Sequence, residues 1–442
     1  MKIYILSLGC SRNLLDSEIL HGMLKRRGHD VLESPENSDI AIVNTCGFIS
    51  DAKEESIGMI LQLAELKKKG NLSRLIVTGC LGQRYPDELM KDMKEIDAVF
   101  GSSDYARIPD LIDSILHGER VKRVSVKPEF DGADHAGRVL STPGHYAYIK
   151  VQEGCSNRCS YCVIPDIRGP LVSRDISGIA EEVRRIKEER DLKELIIVAQ
   201  DTAVFGVDTK GFSLLPELLY ELSPIMDKGW IRVLYTHPAH FNAKMISAVN
   251  SLENVCKYVD LPIQHINDDI LRKMNRHIGR KGIEDLIRDI RASIEGAVIR
   301  TTVMVGFPGE TDGQFKELMD FLKVIKFDRL GAFRYSREEG TPAAGFPSQV
   351  PEKIKNVRYD EVMRLQREIS EENNTRYLSK VIKVLIDEKV EDSDGLFIGR
   401  GYMDAPEVDG SVHVRGNGIH SGQFVNVRVT GTAEYDLLGE AV

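Results

Sequence analysis

The chain has 442 residues, with 59 Lys and Arg against 68 Asp and Glu, a formal net charge of −9 and 42% apolar residues. Such a length exceeds one ordinary core and calls for roughly two to four domains. The negative balance argues against a protein whose main task is to coat nucleic acid, and no apolar run approaches the ~18 residues of a membrane span. The first ten residues, Met1 to Cys10, read as a strand rather than a signal peptide, so a cytoplasmic setting is expected. Seven cysteines are sparse over this length and odd in number. That usage favours reduced, metal-binding thiols over a disulfide framework.

The first 120 residues repeat one pattern. An apolar β-rich run ends in a cysteine three times, at Ile3–Cys10, Ile40–Cys46 and Leu75–Cys80, and a helix-patterned segment follows each. The cysteines stand 36 and 34 residues apart, which fits one βα unit per cysteine in a parallel sheet. Leu14–Arg27 and Asp51–Lys69 carry apolar residues at the spacing of one helix face. Each cysteine then falls at the carboxyl end of a strand, where open α/β sheets build their binding crevice. One such thiol alone reads as a small core residue; three at equivalent places predict convergence. Residues 121–140 interrupt the pattern as a linker, with the basic run Glu119-Arg-Val-Lys-Arg123 before Asp131–Gly137.

From 141 to 375 six strand-like runs alternate with helical stretches, at 146–151, 194–199, 231–235, 258–263, 299–305 and 330–335. This predicts an open, partial α/β barrel. The helical stretches are expected near 176–190, 213–224, 240–251, 267–292 and 311–325, then a charged helix over 352–374. Strand ends carry Gln200, Asp201, His237, Gln264, His265 and the turn Gly306-Phe-Pro-Gly-Glu310. Any one of them serves equally well as a helix cap or tight turn, but their shared rim predicts a cofactor and substrate pocket. Residues 376–442 shift to short alternating runs and predict a small antiparallel β-barrel of about five strands. From residue 378 onward this segment holds six Lys and Arg against eleven Asp and Glu, so it is expected to repel phosphate backbones and to suit a basic protein partner.

The densest chemical signal is Gly154-Cys-Ser-Asn-Arg-Cys-Ser-Tyr-Cys162, with Cys155, Cys159 and Cys162 spaced C-x3-C-x2-C. Three thiolates on one short loop can hold three irons of a tetranuclear iron–sulfur cluster and leave the fourth open. Zinc is the alternative, although no second C-x2-C pair accompanies the loop; three unlinked buried thiols is the bland one. Cys256 fits no motif and reads as a packed core thiol. P-loop, zincin and nucleophile-elbow motifs are absent from the sequence.

Cys155-x3-Cys159-x-Tyr161-Cys162 at the first barrel strand resembles the radical S-adenosylmethionine signature. Together with Leu8-Gly-Cys10, Asn44-Thr-Cys46, Gly79-Cys80 and the terminal barrel, nearly the whole chain is similar to the methylthiotransferases. Within them, Cys46-Gly-Phe-Ile49, Cys162-Val-Ile-Pro165, Ala199-Gln-Asp-Thr202, Gly331-Ala-Phe333 and Ala405–Gly410 lean toward the branch that modifies an aspartate of small-subunit ribosomal protein twelve. Ser-Arg-Asn after Cys10, where Pro-Lys-Asn is commoner, is a small departure. The resemblance implies a radical-generating 4Fe–4S cluster on Cys155, Cys159 and Cys162, whose open iron binds S-adenosylmethionine. It implies a second, sulfur-carrying 4Fe–4S cluster on Cys10, Cys46 and Cys80. Tyr161 is expected near the adenine, with Gln200, Arg174, Gly306 and Glu310 as further cofactor contacts. An electron donor and a sulfur donor are implied as partners. A tRNA methylthiotransferase, disfavoured by the acidic tail, and a non-catalytic metal-stabilised module are the rival readings.

Overall fold

The computed structural model describes residues 1–125, 135 and 137–442. Of the linker expected over 121–140, residues 126–134 and 136 lie outside them, and 121–123 are not linker but the last strand of the first sheet. The N-terminal unit runs β1 (Lys2–Ser7), α1 (Ser11–Arg26), β2 (Asp30–Leu32), β3 (Ile40–Thr45), α2 (Ser50–Lys68), β4 (Arg74–Gly79), α3 (Cys80–Arg84), α4 (Pro86–Asp92), β5 (Ala98–Phe100), α5 (Ile108–Leu116) and β6 (Val121–Arg123). Its six strands are all parallel, in the order β2-β1-β3-β4-β5-β6. Residues 40–43 and 75–77 are fully buried, as expected of parallel strands covered on both faces. The three cysteine-ending strands are β1, β3 and β4. They are neighbours, with Ser7 opposite Asn44 and Thr45 opposite Gly79, so their carboxyl ends open side by side.

The central unit runs β7 (Tyr146–Lys150), β8 (Gln152–Glu153), α6 (Ile164–Arg168), β9 (Val172–Ser173), α7 (Ile176–Glu189), β10 (Glu194–Val198), α8 (Val207–Lys210), α9 (Leu215–Met226), β11 (Trp230–Val233) and α10 (Ala243–Ser251). It continues with β12 (Tyr258–Asp260), α11 (Asp268–Lys273), α12 (Arg280–Ser293), β13 (Val298–Val305), α13 (Asp312–Ile325), β14 (Arg329–Arg334) and α14 (Glu352–Asn374). The strands form two parallel sheets, β7-β10-β11 and β12-β13-β14. Single bridges such as Ile231 to Val255 link the β11 strand to the chain just before β12. The wall is therefore an open barrel of six parallel strands. The stretch 267–292 is two helices rather than one. Asn275 and His277 adopt positive φ (60° and 54°), a left-handed geometry that Asn and His tolerate better than most residues. That break turns Arg276 inward, where it is buried.

The last unit is a closed barrel, β15 (Val381–Lys389), β16 (Leu396–Gly401), β17 (Val412–Arg415), β18 (Phe424–Thr432) and β19 (Leu437–Ala441), ordered β15-β16-β17-β19-β18. Four of its pairings are antiparallel, but β17 and β19 run parallel. The barrel docks on the amino ends of the central strands. Buried Glu194 at the start of β10 accepts from Arg232 (2.7 Å) and from barrel residue Arg400 (2.6 Å), and Arg400 also meets Asp387. Arg329 pairs with Asp404, and Arg300 with Asp409. Part of the acidic charge expected to greet a partner is thus engaged inside the chain. It lies at the end of the wall opposite the carboxyl ends of the strands. Cys256 is buried in the same seam, and burial pushes its thiol up to about 11.

Candidate functional site

The first triad is assembled by backbone constraints. Gly9 sits at φ +87°, and a Cβ there would stand 2.7 Å from the Cys46 Cβ; only glycine lets the two loops approach so closely. Asn13 ties the loops together. Its Nδ2 donates to the carbonyls of Leu8 (2.9 Å) and Thr45 (3.0 Å), and its Oδ1 accepts from Arg168 at 2.5 Å. Ser56 braces Cys46 by accepting from its amide (3.1 Å) and donating to its carbonyl (2.9 Å). Cys80 opens α3, 3.6 Å from an Arg168 nitrogen. Cys10, Cys46 and Cys80 lie within electrostatic reach of one another.

The second triad sits on the loop after β8. Gly154, at φ +70°, leaves no room for a Cβ, which would fall 1.9 Å from the Pro170 carbonyl oxygen. Asn157, inside the loop, donates to Asp201 at 2.8 Å. Asp201 also lies 2.7 Å from His240 Nδ1 and accepts from the His237 amide, so it fastens the cysteine loop to the ends of β10 and β11. Among the described residues no three His, Cys, Asp or Glu side chains stand close enough to chelate a single ion.

Burial governs the thiols. It raises Cys46 and Cys155 to about 11 and Cys162 to about 12, each partly opposed by backbone amides and by Arg12. At Cys10 burial is outweighed by Arg12, nearby amides and Arg168, and the thiol falls below its ordinary value. At Cys80 burial wins over Arg168 and the thiol rises. Electrostatically, Arg12 is common to both triads.

A cavity of about 220 Å³ opens onto Cys155, Cys159 and Cys162. Arg12 and Phe48 of the N-terminal unit face it, and Tyr161, Gln200, Tyr235, His237 and Arg276 complete the wall. Tyr161 is buried enough that its hydroxyl titrates well above the usual range. Burial and Arg276 push His237 down to about 3, so it is neutral at pH 7. Two buried polar atoms at the wall have no partner, Gln200 Oε1 and Arg276 Nε, and such atoms call for a ligand or water. The structure therefore brings Tyr161 and Gln200 to the cavity, but not the other expected contacts. Arg174 donates to the Lys150 carbonyl and pairs with Glu182. Glu310 is held by Arg358 and His265, and accepts from the Gly306 amide. Arg12, Asn157, Tyr235 and Arg276 are wall residues that sequence reasoning passed over. Position just after a cysteine, or inside the helix break at 275–277, was the available signal.

A buried charge network fixes the two units. Asp16 of α1 pairs with Lys150 (2.6 Å) and Arg168 (2.6 Å), and Glu153 pairs with Lys150 (2.8 Å). Arg138 bridges Glu18 and Glu182 nearby. The triads are therefore held in one orientation by α1.

Three family descriptions match in turn: an uncharacterized protein family (UPF0004) over residues 2–101, the radical SAM superfamily over 149–322 and a TRAM domain over 380–442. A ribosomal protein uS12 methylthiotransferase RimO from Heliobacterium modesticaldum is 45% identical over 100% of this chain and 95% of its own length. One from Desulforamulus reducens is 46% identical over 99% of each. The chain belongs to the RimO methylthiotransferase family. In fold it is similar to the radical S-adenosylmethionine methyltransferase TsrM from Kitasatospora setae (TM-score 0.58, 14% identity, 77% of this chain and 73% of that one). It is also similar to the cobalamin-dependent radical enzyme OxsB (TM-score 0.52, 10% identity, 83% and 56%). No helix among the described residues is long and apolar enough to cross a membrane.

Proposed function

We propose that this RimO-family chain inserts a methylthio group at the β-carbon of an aspartate in ribosomal protein uS12. Cys155, Cys159 and Cys162 hold one 4Fe–4S cluster and Cys10, Cys46 and Cys80 a second. The units divide near residues 120, 140 and 375, and the enzyme works in the cytoplasm with separate electron and sulfur donors. The observation that carries this reading is one small cavity onto which the second triad opens, with Arg12 in its wall within electrostatic reach of cysteines of both triads.

The donor set fits the groups. Each triad offers three thiols and leaves one iron of a tetranuclear cluster without a protein ligand. Bound together, the clusters and S-adenosylmethionine supply an electron, a hydrogen-abstracting radical and the sulfur to be transferred. The chain's own part is binding, orientation and exclusion of water. The unpartnered Arg276 Nε suits a carboxylate of S-adenosylmethionine, and the free Gln200 Oε1 suits its amino or hydroxyl groups. Tyr161 offers an aromatic face. Phe48, Ile164 and Pro262 add apolar surface to the wall, which helps keep competing water from a reactive centre.

The test is mass spectrometry of uS12 from reactions with the reconstituted enzyme, S-adenosylmethionine, a reductant and sulfide. The mass of one methylthio group on a single aspartate is expected. Unmodified uS12 together with modified tRNA would refute the reading in favour of the tRNA enzymes.

A further inference from the structure

Buried arginines in this molecule are almost all paired with carboxylates: Arg168 with Asp16, Arg232 with Glu194, Arg329 with Asp404, Arg400 with Asp387. Arg12 is different. One terminal nitrogen donates to the Ala199 carbonyl at 2.8 Å, and the guanidinium lies 5.0 Å above the Tyr235 ring. Among the described residues no carboxylate forms an ion pair with it. Glu153 exerts the nearest acidic influence, but its oxygens are taken by Lys150, Arg168, Gln200 and the Gly154 amide. Arg12 is half-buried, its strongest charged neighbour is the Cys10 thiol, and with no carboxylate beside it the guanidinium faces the cavity, where an anionic group would find it.

We infer that Arg12 is the specificity-determining residue that grips the side-chain carboxylate of the acceptor aspartate. The inference rests on the function proposed above and adds the means by which an acidic residue is chosen. Two carboxylates must then enter one cavity, that of S-adenosylmethionine and that of the acceptor. Two cations line it, Arg12 and Arg276, neither in an ion pair with a carboxylate among the described residues. Arg276 stands 3.7 Å from the Cys159 sulfur, on the wall of one triad only. Arg12 follows Cys10 by two residues, lines the cavity onto which Cys155, Cys159 and Cys162 open, and is tied to the Ala199 carbonyl at its rim. The acceptor carbon must be reached from both triads, and in aspartate that carbon is one bond from the carboxylate. A cation that anchors the carboxylate has to lie between the triads, and Arg12 does. The planar guanidinium, with one terminal nitrogen engaged by the Ala199 carbonyl, still offers donors that suit a carboxylate, whereas a neutral amide at the same place leaves the charge unanswered.

The test uses the cluster-loaded full chain and two peptides carrying the uS12 target loop, one with the acceptor Asp and one with Asn there. Their affinities are read by fluorescence anisotropy. The wild type is expected to favour the Asp peptide by on the order of 10–100-fold, the strength of a charge-assisted hydrogen bond. Arg12→Met should bind the two peptides equally, and Arg12→Lys should keep a reduced preference for Asp. Equal binding by the wild type overturns the inference whether or not a variant folds. So does an undiminished Asp preference in Arg12→Met, which would assign Arg12 to balancing thiolate charge alone. Mass spectrometry of uS12 runs in parallel. Modified uS12 with no Asp preference refutes only the role of Arg12, and unmodified uS12 refutes the function on which it rests.

Discussion

Replacing Glu194 with Gln should loosen the terminal barrel from the central unit. Glu194 is fully buried and its two oxygens face different partners, Arg232 at 2.7 Å and Arg400 at 2.6 Å. Gln keeps the shape and one acceptor but removes the charge that balances two buried guanidiniums. Arg400 retains Asp387, and Arg232 retains the Tyr402 carbonyl at 2.7 Å, so neither is left bare. Breaking a buried pair costs about 3–5 kcal/mol, and these residual partners put the expected loss near the lower end, about 3 kcal/mol. The molecule carries its own reporter. Trp230 is the single tryptophan, buried at this seam with its ring 4.8 Å from Phe424 of the barrel and Lys383 over its face. A guanidinium titration followed by Trp230 fluorescence should show the seam opening at lower denaturant in Glu194→Gln. A transition within 1 kcal/mol of wild type would refute the claim that this cluster holds the barrel. pH supplies an independent check. Burial raises the Glu194 pKa, and Arg400 and Arg232 outweigh it, leaving the carboxyl below its ordinary value. A depressed acid stabilises the folded form above its unfolded pKa, about 4.3, and loses that contribution as pH falls through the folded value. The wild-type seam should therefore weaken below about pH 4, whereas the Gln variant should show a flatter acid limb.

Replacing Cys10, Cys46 and Cys80 together with Ala should lower iron from about eight to about four per chain, leaving S-adenosylmethionine cleavage but no methylthio transfer; loss of cleavage in the folded variant would count against divided roles. Gly9→Ala forces a Cβ to 2.7 Å from the Cys46 Cβ at positive φ, and should cost about 1–3 kcal/mol by thermal melting with a matching loss of iron. Arg276→Met should weaken S-adenosylmethionine binding by roughly 10–100-fold in equilibrium dialysis, and unchanged affinity would remove Arg276 from the cofactor's wall.

Much of this organisation is written locally. The Gly-Cys strand ends recur in β1 and β4 because a parallel sheet needs one βα unit per strand, so Cys10, Cys46 and Cys80 were recognisable as a set before any coordinates. The C-x3-C-x2-C loop and the alternating central pattern were equally plain. The boundaries that shifted did so for local reasons of their own, as where Asn275 and His277 split one helical stretch into α11 and α12.

What the sequence could not disclose is which charges meet. Asn13 and Arg168 lie 155 residues apart yet join at 2.5 Å, and Arg400 reaches Glu194 across 206 residues. Acidic residues of the terminal barrel read as a partner-facing surface, but Asp387, Asp404 and Asp409 are closed off by arginines within the chain. Arg174 and Glu310 likewise turned inward to structural pairs. Arg12, unremarkable beside Cys10, became distinctive only when packing denied it a carboxylate. Periodicity and cysteine spacing are properties of short segments and survive in the sequence alone. The pairing of buried charge depends on which distant segments share a low-dielectric interior, and only the folded chain decides that.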